Sequence, residues 1–114
     1  MPDFIVNNHL YYNPVEFAMA KIGGTYKMPI LWRLKDKNWR FSEFKKELPH
    51  ISDRMLSKAL KELEKDELIS KEIFAEVPVR TQYALTEKGK QCIPVITSLK
   101  ELGNSLLESA KIDE

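Results

Sequence analysis

The sequence has 114 residues, 43% of them hydrophobic, and a net charge of +1 from 18 Lys and Arg against 17 Asp and Glu, which suits one compact domain and leaves no room for a second. No stretch approaches the roughly 18 to 20 apolar residues that cross a bilayer, and the start, Met1 to Asn8, has no basic region followed by a long apolar run, so a soluble, cytoplasmic protein without a membrane partner is expected. The single cysteine, Cys92, excludes an internal disulfide and a cysteine-rich zinc site.

Residues 1–12 read as an N-terminal extension. A first helix begins at Asn13-Pro14-Val15-Glu16, with Asn13 as cap, Pro14 at the first helical position and Glu16 reaching back. Val15, Ala18, Met19 and Ile22 follow at helical spacing, and Gly23-Gly24 stops the helix. A second helix, from about Thr25 to Lys35, spreads Met28, Ile30, Leu31, Trp32 and Leu34 over a wide arc and belongs in the core, with Pro29 tolerable only near its first turn.

After the polar turn Lys35 to Asn38, Trp39-Arg40-Phe41 reads as a short extended piece. Ser42 is the expected cap of a third helix that runs through Leu48 and is ended by Pro49. Ser52 caps a fourth helix to about Asp66, with Leu56, Ala59, Leu60 and Leu63 on one stripe and Arg54, Ser57, Lys58 and Lys61 pointing elsewhere. Two strands, Ile69 to Phe74 and Arg80 to Leu85, form a hairpin with a flexible tip; Ile69 and Ile73 on one and Tyr83 and Leu85 on the other suggest half-buried pairing. A last helix starts at Thr86-Glu87. Within it Val95, Leu99, Leu102 and Leu106 recur at the spacing of a helix-to-helix seam, and Pro94 should kink it.

This order predicts a mainly helical fold with a small β-hairpin wing, a winged helix-turn-helix domain over 13–109 with a tail at 110–114. Charge is distributed to match. Residues 33–61 hold nine basic side chains against four acidic ones, and 62–76 hold two against six. A basic middle in a neutral chain fits an anion-facing surface, although the same charges also suit an ordinary solvated face.

Several segments, in order, resemble the HxlR family of bacterial winged-helix transcription regulators, relatives of the MarR type. They are Pro14-Val15-Glu16, Ile22-Gly23-Gly24, Ile30-Leu31-Trp32, Arg40-Phe41-Ser42-Glu43-Phe44, Leu48-Pro49-His50-Ile51-Ser52, Met55-Leu56-Ser57, Asp66-Glu67-Leu68-Ile69, Glu76-Val77-Pro78-Val79-Arg80 and Leu85-Thr86-Glu87-Lys88-Gly89. The resemblance implies a homodimer held by the first and last helices, duplex DNA as partner, major-groove contact through the helix after Ser52, and a wing on neighbouring backbone. Family members that sense oxidants or electrophiles carry a cysteine just before the Pro-Val of the first helix, where this chain has Asn13.

The candidate DNA-binding residues are therefore Ser52, Arg54, Ser57, Lys58, Lys61 and Arg80, and the candidate dimer residues are Val95, Leu99, Leu102 and Leu106. Arg80 either inserts near the minor groove or braces the hairpin, and Asp53 serves the helix start. Lys71, Thr81 and Gln82 are weaker wing candidates. His9, His50 and Cys92 show none of the spacings of a zinc site, so no metal or cofactor is expected. No phosphate loop, nucleophile elbow or catalytic acid pair is present, so an enzyme is not expected. Trp32, Trp39 and Tyr11-Tyr12 read as core and dimer-contact aromatics, among which a small apolar effector of unknown identity has room to lodge. A burial-shielded Cys92 is expected to be inert. The competing expectation is a winged-helix module for protein contact alone, which would not need the basic face.

Overall fold

The structure, a computed structural model, describes residues 3–48 and 50–112. Pro49, the expected end of the third helix, lies outside the described residues, as does the end of the 110–114 tail. Residues 3–12 are more than an extension. Strands β1 (Phe4–Val6) and β2 (His9–Tyr11) pair antiparallel across Asn7-Asn8, whose φ angles of 50° and 65° are those of a tight two-residue turn that asparagine tolerates. Phe4 stacks on Tyr11, and both rings meet Phe17 edge-on, at 5.7 and 4.8 Å between centroids.

Helix α1 (Pro14–Ile22) is capped as expected, the Asn13 side chain accepting the Glu16 N–H at 2.9 Å. Glu16 reaches back one residue further than its cap, to the Tyr12 N–H at 2.7 Å. Helix α2 (Lys27–Arg33) is shorter than Thr25 to Lys35, with Pro29 in its first turn and Ile30 and Leu31 fully buried. Helix α3 (Phe41–Glu47) starts two residues earlier than a Ser42 cap would set it. The Glu43 carboxylate accepts the Arg40 N–H at 2.9 Å and so fixes Arg40 at the cap position. Trp39 exchanges backbone hydrogen bonds with Tyr83, at 3.1 and 2.8 Å, which makes the extended piece before α3 a third partner of the wing.

Helix α4 (Asp53–Lys65) begins at the Ser52 cap, whose hydroxyl accepts the Met55 N–H at 3.1 Å. Leu56, Ala59, Leu60 and Leu63 are all buried, as their spacing predicts. The helix ends with Glu67 in the left-handed region, φ 61°. There the Leu68 N–H reaches the Leu63 carbonyl at 3.0 Å and the Glu67 N–H reaches that of Glu64 at 3.0 Å. These two bonds satisfy the last carbonyls, and the buried Leu63 and Leu68 side chains accompany them, which offsets a left-handed residue other than glycine.

Strands β3 (Ile69–Phe74) and β4 (Arg80–Leu85) have the limits read from the sequence and pair from Ile69–Leu85 to Phe74–Arg80. Ile69 and Tyr83 are buried, but Ile73 is 67% exposed, contrary to expectation. By that point the hairpin has left the body of the domain and has nothing to pack against. Helix α5 (Glu87–Ile112) runs continuously through Pro94. Its start is locked to the end of α4. The Thr86 hydroxyl donates to the Glu67 carbonyl at 2.6 Å and accepts the Gly89 N–H at 3.1 Å, and the Thr86 N–H donates to Leu68 at 3.2 Å. A Cβ at Gly89 would collide with the Leu68 carbonyl oxygen, so glycine is required by close approach.

The core joins Ile30 and Leu31 of α2, Phe44 of α3 and the α4 stripe, closed by Ile69, Tyr83 and Ile96. The radius of gyration is 16.5 Å with extents of 54 × 41 × 25 Å, against about 13 Å for a compact domain of this length. The excess is α5, about 39 Å long by helical rise, whose second half is exposed at almost every described position. Among the described residues no helix is long and apolar enough to cross a membrane.

Candidate nucleic-acid interface

Helices α3 and α4 are set against each other by packing of Phe44, Ile51 and Leu56 and by one lysine. Lys45 of α3 donates to the Ile51 carbonyl at 2.6 Å and pairs with Asp53 at 3.1 Å. Asp53 thus sits in the first turn of α4, where the helix dipole favours a carboxylate, and Lys45 offsets its charge next to a surface intended for an anion.

Arg54, Lys58 and Lys61 recur at i, i+4 and i+7 and lie within one narrow arc, opposite Leu56, Leu60 and Leu63. All three are exposed and, among the described residues, form no ion pair. The contrast with other lysines is chemical. Lys21 is held by Asp66 at 3.4 Å, Lys27 by Glu62 at 2.7 Å, and Lys37 by Glu43 at 3.2 Å. The Lys27 hydrogen bond holds the Glu62 carboxyl below the usual carboxylate range, with Lys58 and Lys65 adding weaker attraction, so the nearest acid to Lys58 on α4 is already occupied. Ser57 is half-buried beside this stripe, and the Ser52 hydroxyl is spent on its cap.

Sequence reasoning did not assign Lys65, which continues the stripe at i+4 from Lys61, nor Arg40 at the cap of α3 and Lys46 within it, all exposed and outside any described ion pair. Arg40 and Lys46 were signalled only by the basic count of residues 33–61, and Lys65 was hidden in the acidic stretch that follows. Arg80 is placed differently from the α4 cations. Its Nη2 lies 3.4 Å from Glu76, its guanidinium lies over the Phe74 ring at 4.3 Å, and its Nε is buried without a hydrogen-bond partner. These contacts hold Arg80 against its own hairpin. Lys71 is exposed, and Thr81 and Gln82 are half-buried.

A second surface is apolar. Val95, Leu99, Leu102 and Leu106 are all exposed along α5, and Leu107 lies beside them. Val15 and Met19 of α1 and Ile5 and Leu10 of the N-terminal hairpin are exposed as well. The hairpin residues were missed because the three-residue strands were too short to show a period. Among the aromatics, Tyr11 is buried, Tyr12 is exposed, and Trp39 stacks on Phe44 at 5.2 Å. Trp32 carries the Lys35 and Lys100 ammonium groups at 4.3 and 5.3 Å from its ring. Cys92 is half-buried, and burial pushes its thiol pKa up.

The sequence matches the HxlR-like helix-turn-helix family over residues 21–111. A helix-turn-helix-type transcriptional regulator of Methanothermobacter thermautotrophicus is 47% identical over 93 residues, which cover 82% of this chain and 71% of that protein. The regulator YdeP of Bacillus subtilis is 43% identical over 90 residues, 79% of this chain and 70% of its own. Among solved structures, the redox regulator HypR in its reduced form superposes with a TM-score of 0.80 at 39% identity, covering 85% of this chain and 99% of HypR. These relatives are regulators and not enzymes, and the architecture of a helical domain with a two-stranded wing is shared with HypR. The protein is a DNA-binding transcriptional regulator of winged-helix architecture, and the chain belongs to the HxlR-like helix-turn-helix family.

Proposed function

We propose that the protein binds its operator as a homodimer in the cytoplasm, with α4 in the major groove and the β3–β4 wing over the adjacent backbone. The observation that carries this reading is the stripe of exposed, unpaired cations on α4, Arg54, Lys58 and Lys61. Helical cations left without carboxylates beside a satisfied N-cap are suited to meet phosphates and base edges. Ser52 presents the helix N-terminus, Ser57 is the uncharged member at the groove, and Arg80 acts through the wing it braces. The exposed apolar residues of α5 and α1 supply the dimer contact, which the elongated monomer leaves uncovered.

The test is fluorescence anisotropy of the full chain on the duplex upstream of its own and neighbouring genes, against a scrambled duplex. With about 6 to 10 phosphates neutralised per dimer, affinity is expected to fall by roughly 10³ to 10⁵ between 50 and 200 mM salt. Equal binding to scrambled DNA, or binding indifferent to salt, would leave the domain as a protein-contact module.

The signal differs from a thiol switch at the head of the first helix. Asn13 there serves as the cap of α1, and an amide is neither oxidised nor alkylated in the manner of a thiolate. Cys92 has its pKa raised by burial, so at neutral pH it is almost entirely thiol, and its thiolate population grows only as pH rises past the range of an ordinary cysteine. Iodoacetamide at pH 7.5, a condition of roughly neutral pH, is therefore expected to modify the native protein more slowly than the unfolded chain, the gap narrowing toward alkaline pH. Diamide is expected to leave operator binding unchanged; release that disappears in Cys92→Ser would show the opposite.

A further inference from the structure

The wing ends in aliphatic side chains that nothing in the monomer covers. Val77 is fully exposed, Val79 and Ile73 are each about two-thirds exposed (68% and 67%), and Pro78 stands between the valines. The only charged groups from Ile73 to Thr81 are Glu76 and Arg80, and they pair with each other at 3.4 Å. The guanidinium is further occupied by the face of Phe74. The tip is thus neutral and apolar, although it belongs to the element expected to meet a polyanion.

Its surroundings say what it fits. A cleft of about 460 Å³ separates the tip from the start of α3, lined by Arg40, Phe41, Ser42, Val79, Arg80 and their neighbours. Arg40, at the cleft, and Lys71, further down the stem, are exposed cations outside any described ion pair, so groups that suit phosphates lie behind the apolar tip. Six residues of strand extend about 20 Å, which matches the step of about 17 Å, half a helical turn, from one groove to the next. The walls of the minor groove are sugar C–H surfaces, and apolar side chains entering it wedge between base pairs and bend the duplex.

Resting on the DNA-binding reading above, we infer that Val77-Pro78-Val79 is an apolar wedge for the minor groove beside the major-groove site. A wedge of this kind selects by deformability. It favours flanks with pyrimidine–purine steps such as TA or CA, which unstack easily, over stiff flanks, and it does so with no base-edge hydrogen bond.

The experiment compares the full chain with the double variant Val77→Ser/Val79→Ser on two operators that differ only in the flank under the wing, one with a TA step and one with a stiff A-tract. Both side chains are exposed, and circular dichroism confirms the retained fold. Wild type is expected to prefer the TA flank and to bend it, read by energy transfer between the duplex ends. The variant should lose roughly tenfold in affinity for each wing seated on a TA flank, the scale of two partly buried valines. It should also lose the flank preference and most of the bend, with the salt slope unchanged because no charge is removed. A variant that binds and bends both operators as wild type does overturns the wedge and leaves the DNA reading intact. Higher oligomers of the wild type that the double variant abolishes would assign the tip to a second copy and also overturn it. Wild type that binds neither operator overturns both.

Discussion

Replacing Arg54, Lys58 and Lys61 together by alanine is expected to reduce operator affinity by about 10³- to 10⁵-fold near 0.1 M salt and to flatten its salt dependence. A dimer loses six cations by this change. If each meets one phosphate, the slope of log K against log salt should shrink by about 5, from the roughly 0.9 that each contact contributes. The fold should be untouched, because the three side chains are exposed and outside any described ion pair, and alanine is the best helix former. Thermal midpoints within a few degrees of wild type would separate this loss from unfolding. A triple variant that keeps wild-type affinity and slope would remove α4 from the interface.

Leu102→Glu is expected to convert the dimer to monomer. Leu102 is 54% exposed in the single chain and lies at the middle of the α5 stripe, so the change is harmless to the monomer and acts only where a partner covers it. A carboxylate on each side of the seam would be desolvated beside its own symmetry mate, a cost of several kcal/mol without a compensating cation. Sedimentation should report about half the mass with an unchanged helical spectrum. Operator binding should fall toward that of a single half-site, because the second recognition helix is no longer delivered to the same duplex. A folded, dimeric Leu102→Glu protein would place the seam elsewhere.

The elements that the sequence made legible are those whose causes are local. Asn13, Ser52 and Thr86 cap helices through bonds to residues three positions on, and the α4 stripe follows from helical spacing alone. What escaped depends on partners distant in sequence or on very short units. The β1–β2 hairpin rests on an Asn7-Asn8 turn between strands of three residues each, too brief for periodicity. Ser42 lost the cap of α3 to Arg40 because a side chain at Glu43 reached back. Ile73 sits in register for burial but beyond the end of the core. The candidate interface was half legible for the same reason. Its cations are evident in the sequence, but which of them are free is decided by pairings such as Lys45 with Asp53 and Lys27 with Glu62, and these exist only in the folded chain.

The corner at Glu67, Leu68, Thr86 and Gly89 has a geometric consequence. It welds the end of α4 to the start of α5 by two hydrogen bonds from Thr86, to the Glu67 and Leu68 carbonyls, and a contact at Gly89 that tolerates no Cβ. The reading helix and the long helix therefore turn as one bent lever. In a symmetric pair, the angle at which the two α5 helices cross sets the gap between the two α4 helices. A rotation of about 5° acting over about 39 Å of helix moves the far end by about 3 Å. Successive major grooves on one side of a duplex are about 34 Å apart. A displacement of that size moves one α4 by about one base-pair step, roughly 3.4 Å, while the other stays seated, so anything that alters the crossing angle between the protomers changes the register of the dimer with no change in either DNA-reading surface.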